Sequence, residues 1–363
     1  MEDKLYWFWL CNIEGIGQKK LEAIINYYKS PYEAFTSSIE SLSNIEKLND
    51  EDRRQIKLSK DMNRLKDSYA KLLSKKVCFV TKEEKVYPEK LLNIYNPPHC
   101  LYVKGGLPSK DEITIAVVGS RICTDYGKEL AIYFARELAR MGICIVSGLA
   151  LGVDGYAHKG ALDVNGKTYG ILGCGIDTCY PKENIEYYME MQGLGGVISE
   201  YGLNVLPRAY HFPMRNRIIS GMSDGILVIE AKEKSGSFIT VDMGLEQGKQ
   251  IYAVPGRIND ELSKGCNNLI KMGAKLVSNV DDILEDFSIN YKNLQKDNKK
   301  NDKLLETKEK IVYASLSFQG KHINEIAMET NLSMMELTEI LFSLELKNYI
   351  KQIRHNYYSY III

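Results

Sequence analysis

The chain has 363 residues, more than one typical hydrophobic core uses, which suggests about two or three domains. Its 47 basic and 47 acidic residues cancel, so a polyanion would have to be held by a local patch and not by a global field. The start, Met1-Glu2-Asp3-Lys4, lacks a basic n-region, and no apolar run approaches a bilayer span, which predicts a soluble, cytoplasmic protein with no membrane contact.

Residues 1–75 read as helices joined by short turns. Leu21, Ile24 and Ile25 fall on one helix face, and the preceding Ile13-Glu14-Gly15-Ile16-Gly17 is a G-x-G turn. Such a turn suits two uses: a helix-hairpin-helix whose glycine amides approach a nucleic-acid phosphate, or a tight connection between packed helices.

From residue 77 to 287 strand and helix signals alternate, which predicts an α/β core with a mostly parallel sheet covered on both faces. A lead-in with turn prolines (Val86-Tyr87-Pro88, Asn96-Pro97-Pro98, then 101–105) precedes the core at 113–280. Within that core, short apolar runs each end in a Gly-bearing turn: Gly119-Ser120-Arg121, Ser147-Gly148, Gly173-Cys174-Gly175, the loop 232–237, and Pro255-Gly256. Parallel strand ends of one sense share a rim, so these turns should converge on one crevice.

The stretch 288–310 is polar with few apolar anchors and reads as a flexible linker. Beyond it, apolar positions at helical spacing (Ile311, Leu316; Ile323, Ile326; Leu337, Ile340, Leu341, Leu344) lead into two strand-like runs around Arg354-His355-Asn356. Three helices and a hairpin describe a winged helix. Its recognition helix would present Met334, Met335, Glu336, Thr338 and Glu339, and carboxylates oppose phosphates, so protein docking or autoregulation is favoured over duplex reading. Lys351 and Arg354 on the wing remain the argument for DNA. The resulting division is 1–75, 76–288, a linker at 289–303, and 304–363.

The rim carries anion chemistry. G-x-G-x-x-G and G-x-x-x-x-G-K-[ST] are both absent, so neither a dinucleotide cofactor nor ATP hydrolysis is expected, yet oriented amides hold phosphate without either motif. Arg121 leaves the first strand end with a planar fork suited to phosphate oxygens, or to a surface ion pair. Lys182, in Tyr180-Pro181-Lys182-Glu183-Asn184, opens a helix, where a cation opposes the helix dipole unless an anion is bound. Arg215, Asn216 and Arg217 precede Ile218-Ile219; one of the arginines could instead be structural, closing a loop on Glu200 or Glu230. Ser235-Gly236-Ser237 with Thr240 is a hydroxyl-rich nest, or an N-cap. Asp154 and His158, at i and i+4, are the best acid–base candidates, but Asp154 as a cap and His158 bonded into the core is the stronger reading, and no catalytic set is expected. Eight cysteines without a C-x-x-C pair, and five histidines, point to neither metal nor disulfide; Cys78 and Cys144 read as core-strand residues.

Val118-Gly119-Ser120-Arg121, Ser147-Gly148-Leu149-Ala150-x-Gly152-x-Asp154-x-x-Ala157-His158-x-x-Ala161-Leu162, Tyr180-Pro181, Ser199-Glu200, Phe212-Pro213-x-Arg215-Asn216-Arg217-Ile218-Ile219, Ser235-Gly236-Ser237 and Pro255-Gly256 together resemble the DNA-processing protein A family, also called Smf. The resemblance implies an extended Rossmann-like domain that binds single-stranded DNA, protects it and loads the RecA recombinase during natural transformation. It also implies a homodimer formed through that domain, no nucleotide cofactor, a sterile-alpha-motif-like helical domain before it and a winged helix after it. Single-strand-binding protein and other competence proteins are further candidate partners. By position, the family's phosphate-binding arginine falls on Arg121 and its lysine on Lys182. The DNA-binding set so expected is Gly119, Ser120, Arg121, Gly148, Lys182, Asn184, Arg215, Asn216, Arg217, Ser235, Gly236, Ser237 and Thr240, with bases facing outward or stacking on Tyr187 or Tyr188. Two departures bear on affinity: Lys232-Glu233-Lys234 blurs the charge before the nest, and Leu151 stands where many relatives carry lysine or arginine.

Two other readings stand beside it. A nucleotide-processing enzyme of the phosphoribohydrolase type would need a G-G-x-G-T-x-x-E nest, whereas Ser235-Gly236-Ser237-Phe238-Ile239-Thr240 is followed only later by Glu246. A scaffold would use the helical ends to recruit partners and the core only to dimerise.

Overall fold

The computed structural model describes residues 2–288, 307–316, 320–347 and 349–360; the linker expected at 289–303 lies outside them. Two compact units result, Met1–Phe287 and Ser288–Ile363.

The first unit begins with helices α1 (Glu2–Cys11), α2 (Gln18–Tyr28), α3 (Pro31–Thr36), α4 (Asp50–Ser59) and α5 (Met62–Ser74). Side-chain caps fix three of the starts: Ser30 accepts from Glu33 N–H, Asn49 and Asp52 form a reciprocal capping box, and Asp61 accepts from the Asn63 and Arg64 amides. In α1 the run Trp7-Phe8-Trp9-Leu10 is buried on every side. Phe8 meets the rings of Phe79 and Tyr102 at 5.4 and 6.4 Å, so the helices share one apolar core with the sheet beside them. The glycine turn before α2 is tied down as well: Gln18 Nε2 donates to the carbonyls of Asn96 (3.3 Å) and Pro97 (2.5 Å).

The sheet consists of β1 (Cys78–Thr81), β2 (Cys100–Gly105), β3 (Thr114–Val118), β4 (Cys144–Ser147), β5 (Thr168–Leu172), β6 (Gly196–Ser199), β7 (Gly225–Val228), β8 (Gln250–Ala253) and β9 (Lys275–Leu276). Their order is β1-β2-β6-β5-β4-β3-β7-β8-β9. Strands β3 to β9 run parallel, and β1 and β2 add an antiparallel edge. All five residues of β3 are buried, as expected of a strand covered on both faces. Cys78, by contrast, is exposed on the edge strand and is not a core residue as expected.

The covering helices are α6 (Glu89–Leu92), α7 (Asp125–Arg140), α8 (Val153–Leu162), α9 (Ile185–Leu194), α10 (His211–Gly221), α11 (Ser237–Glu246), α12 (Lys264–Lys271) and α13 (Asp281–Leu284). Strand order reverses at β3, because β4 lies on one side of it and β7 on the other. The loops leaving β3 and β7 therefore part from each other, and the crevice between them is where open α/β sheets receive ligands.

The second unit contains α14 (Thr307–Ser315), β10 (Lys321–His322), α15 (Ile323–Thr330), α16 (Met334–Leu346), β11 (Ile350–Arg354) and β12 (Tyr357–Tyr360). Val312, Ile326, Leu337, Leu341, Leu344 and Ile350 are among its core residues. The short strand β10, which pairs with β12, is an element the periodicity does not reveal. Among the described residues no helix is long and apolar enough to cross a membrane.

Candidate nucleic-acid interface

At the strand-order reversal a cavity of about 990 Å³ opens between the β3 turn, the loop after β7 and the start of α10. The β3 turn is held from below. Ser120 N–H donates to Glu230 O at 2.7 Å, and Ser120 O accepts from Val153 N at 3.1 Å, which fixes the turn to β7 and to α8. Gly152 caps α8 with φ of 74°, and a side chain there would run into the Ser120 and Arg121 carbonyls, so glycine is required on both counts. Glu230 is buried and spends its carboxylate on Thr124 N (2.9 Å) and Thr124 Oγ1 (2.6 Å). That bond anchors the start of α7, whose own cap is Thr124 to Gly127 N–H.

On this base stand the cations. Arg121 is exposed, with its guanidinium carbon 5.9 Å from the centre of the Phe212 ring; Phe212 in turn lies 5.6 Å from Tyr180. Lys232 and Lys234 line the same cavity, while Glu233 turns toward Asn268, whose Nδ2 donates to it at 3.3 Å. Among the described residues Arg121, Lys232 and Lys234 form no ion pair; Glu261, in the same wall, pairs with Lys264 and also feels the charge of Lys232. The nest completes the wall: Ser235 Oγ and Ser237 Oγ are 2.7 Å apart, Ser235 Oγ also accepts the Ser237 N–H at 3.3 Å, and the Phe238 and Ile239 amides are held by Ser235 O and Gly236 O at 3.1 and 3.3 Å, so the nest meets the cavity with its hydroxyls. Unpaired cations, hydroxyls and exposed aromatic surface are together suited to phosphates with bases attached.

The expected residues separate into two tiers. Gly119, Ser120, Arg121, Asn216, Ser235, Gly236, Ser237 and Thr240 line the cavity, together with Arg215. Arg215 is nonetheless 5% exposed, and its Nη1 donates to Gly148 O (2.6 Å) and to Ile171 O, while Nε donates to Asn216. Burial lowers its pKa to about 10, against the opposing charge of Asp154, so it stays charged and acts as a strut. Arg217, also 5% exposed, is outside the cavity and clamps both oxygens of Glu200 at 2.7 and 2.5 Å, with Gln18 Oε1 at 3.1 Å. Glu200 was one of the two carboxylates the sequence offered for that role. Asn184 is buried and donates to Leu149 O and Ala150 O, and Gly148 is closed over by the Arg215 guanidinium. Asn184 and Arg215 lie inside because their donors are spent on the groups they hold, whereas Arg217 bonds through Nη2 alone and, among the described residues, leaves Nε and Nη1 without partners. Lys182 is exposed but stands outside the cavity wall, two residues beyond Tyr180, which is in it.

Two further expectations change. Tyr188 is buried with its hydroxyl donating to Ile176 O at 2.6 Å, and Tyr187 is partly covered, so the exposed rings at the cavity are Tyr180 and, on the adjoining loop, Tyr210. Asp154 does not cap α8; it accepts the Gly148 N–H at 3.1 Å, and burial raises its pKa against the pull of Arg215. His158 does bond into the core, with Nδ1 2.7 Å from Thr168 Oγ1, and burial depresses its pKa to about 3. What sequence reading missed is that Lys232 and Lys234 face the cavity and that Glu233 does not; the alternation of that loop was the available signal.

The family described as DNA recombination-mediator protein A matches residues 78–288. The chain belongs to that family. DNA processing protein DprA of Bacillus subtilis is 39% identical over 246 residues, covering 65% of this chain and 82% of its own length. Protein Smf of Escherichia coli is 44% identical over 206 residues, 56% of this chain and 55% of its own. Among solved structures, DNA processing protein A from Streptococcus pneumoniae superposes with a TM-score of 0.67 at 32% identity, covering 77% of this chain and 97% of that one. DNA processing protein A from Helicobacter pylori, whose structure addresses its single-stranded DNA binding mode, gives 0.52 at 32% identity over 58% of this chain and 95% of that one. Members of the DNA recombination-mediator protein A family are DNA-binding mediators and not enzymes. Helices α1 to α5 and the second unit fall outside the matched range.

Proposed function

We propose that the chain is a single-stranded DNA-binding recombination mediator that protects incoming DNA and loads RecA during natural transformation. It would act as a homodimer formed through the Rossmann-like domain. One observation carries the binding part: three cations that form no ion pair among the described residues stand at the strand-order reversal around the hydroxyl-bearing Ser235-Gly236-Ser237 nest. The single-stranded DNA binding mode of the Helicobacter pylori relative supports the choice of polymer.

In this reading Arg121, Lys232, Lys234 and the Ser235-Gly236-Ser237 nest take backbone phosphates, and Lys182 takes one more beyond Tyr180. Bases lie against Tyr180, Phe212 and Tyr210. Arg215, Arg217, Asn184 and Gly148 hold the frame. Residues 1–75 form a sterile-alpha-motif or helix-hairpin-helix module and 304–363 a winged helix for docking proteins, RecA, single-strand-binding protein and other competence proteins among the candidates. The acidic first turn of α16, where Glu336 caps with Ser333 and pairs with Lys308 at 2.9 Å, supports docking over duplex reading.

The test uses the full chain with labelled oligothymidine and a duplex of equal length, followed by RecA filament formation on strands coated with single-strand-binding protein. Expected are preference for the single strand, affinity that falls with salt, and faster filament nucleation. Salt-independent binding, or equal affinity for duplex, would overturn the binding reading; tight binding without any effect on RecA would overturn the mediator step alone.

A further inference from the structure

A second cavity of about 370 Å³ lies in the first unit, between α1, α5 and the loop after β6, away from the β3 turn. Its floor is apolar, with Trp9, Leu65 and Leu203, and its open side carries Arg64, Lys71 and Asn204. No aspartate or glutamate lines it; Asp67, on the same helix, is not in its wall. Trp9 Nε1 is already spent on Ser59 Oγ at 2.8 Å, so the floor demands no partner. The upper side differs. Arg64 and Lys71 are exposed, seven positions apart and so on one face of α5, and among the described residues neither has an ion-pair partner. An apolar floor beneath two free cations and an amide fits a planar base with a phosphate attached.

The place of this cavity in the fold says what the ligand is attached to. Asn204 belongs to the second cavity and Pro207 to the first. Three residues of chain span at most about 11 Å, a gap that on the order of three stacked nucleotides would cross. The connecting loop is held at its start: Asn204 N–H donates to Asp177 at 2.8 Å, Asp177 pairs with Lys75 beyond the end of α5 at 2.6 Å, and Val205 O accepts from Gly175 N at 2.8 Å. Beyond Pro207, beside the first cavity, the loop exposes Arg208, bonded to the Tyr210 hydroxyl at 3.1 Å, and the Tyr210 ring itself. From these observations the geometry points to a second nucleotide subsite in the N-terminal helical module, at Arg64, Lys71 and Asn204, taking a nucleotide of the same single strand that occupies the strand-reversal cavity. This inference rests on the reading of the first cavity as a single-strand site.

The test compares oligothymidylates of about 4 and about 16 nucleotides, the ends of the usual single-strand site range, on the full chain. Arg64→Ala with Lys71→Ala is expected to leave the short ligand unaffected, to weaken the long one about five- to tenfold, and to lower its logarithmic salt slope by about 1.4, at roughly 0.7 per phosphate. Lys47→Ala with Lys66→Ala removes the same charge outside the cavity and should change neither, and an unchanged unfolding midpoint excludes a folding defect. Equal loss in both pairs, or no loss for the long strand, overturns the subsite. Arg121→Ala separates the two readings: it should weaken both lengths, and if it does while the Arg64 and Lys71 pair has no effect, only the second subsite falls. Free thymidine monophosphate provides the last arm; saturable binding that the pair abolishes, with long-strand affinity untouched, would show a mononucleotide pocket and overturn the polymer assignment.

Discussion

Arg121 and Arg215 line the same cavity and do opposite work. The first stands in solvent over an aromatic ring with no carboxylate to answer it, and the second is sealed beneath, its donors spent on the carbonyls of Gly148 and Ile171. Arg217 repeats the buried pattern on Glu200. A guanidinium is always charged, so its role is set by what surrounds it: exposed and unpaired it invites a phosphate, buried and bonded it fixes the backbone that presents the invitation. The difference also orders the consequences of mutation, because loss of the upper tier should cost binding and loss of the lower tier should cost the fold.

The largest effect expected is on Arg215→Ala. Removing one member of a buried charge network leaves Asp154 without its compensating charge, and unfolding by denaturant should show a loss of about 3–5 kcal/mol. A loss under about 1 kcal/mol would place Arg215 with the upper tier instead. Next comes acid sensitivity of the buried core. His158 has a folded pKa of about 3 and His99 of about 4, both depressed by burial from an ordinary 6.5. The unfolded chain therefore takes up protons first: this contribution is fully present above pH 6.5 and is lost as pH falls toward those values. The slope reaches about 1.4 kcal/mol per pH unit for each histidine. Thr168 Oγ1 donates to Ile145 O at 3.1 Å, so His158 Nδ1 carries the proton given to Thr168, and its Nε2 has no partner to share a second one. Stability measured between pH 7 and pH 5 should fall more steeply in the natural chain than in His158→Gln; parallel curves would contradict the assignment. The smallest effect belongs to Glu233→Ala. Its carboxylate is exposed and turned away from the cavity, so oligonucleotide affinity should rise less than about threefold.

Much of this was legible in the residues. The apolar runs with glycine turns mark the parallel strands and their shared rim, because strands buried on both faces read as continuous apolar segments. The motif set marks the family. That one arginine near 215–217 could close on a carboxylate was also readable, with Glu200 and Glu230 as the alternatives; the structure selects Glu200. What was not readable was depth. Asn184, Arg215 and Arg217 have the composition of a binding site and sit behind one, and nothing in a local string says whether a side chain points up from the rim or down into it. Tyr188 failed in the same way: one helical position decides between a stacking surface and a core ring. The Lys232-Glu233-Lys234 loop shows the converse, a charge pattern ambiguous as a string and sorted by the geometry, with both lysines on one side.

The separation of tiers is tested by the salt dependence of oligothymidine binding in Arg121→Ala with Lys232→Ala and Lys234→Ala, measured beside the unfolding free energy of the same variant. The expected result is a logarithmic salt slope lower by about 2, at roughly 0.7 per phosphate contact, with stability unchanged to within about 0.5 kcal/mol. An unchanged slope, or a slope reduced only because the protein no longer folds, would contradict it.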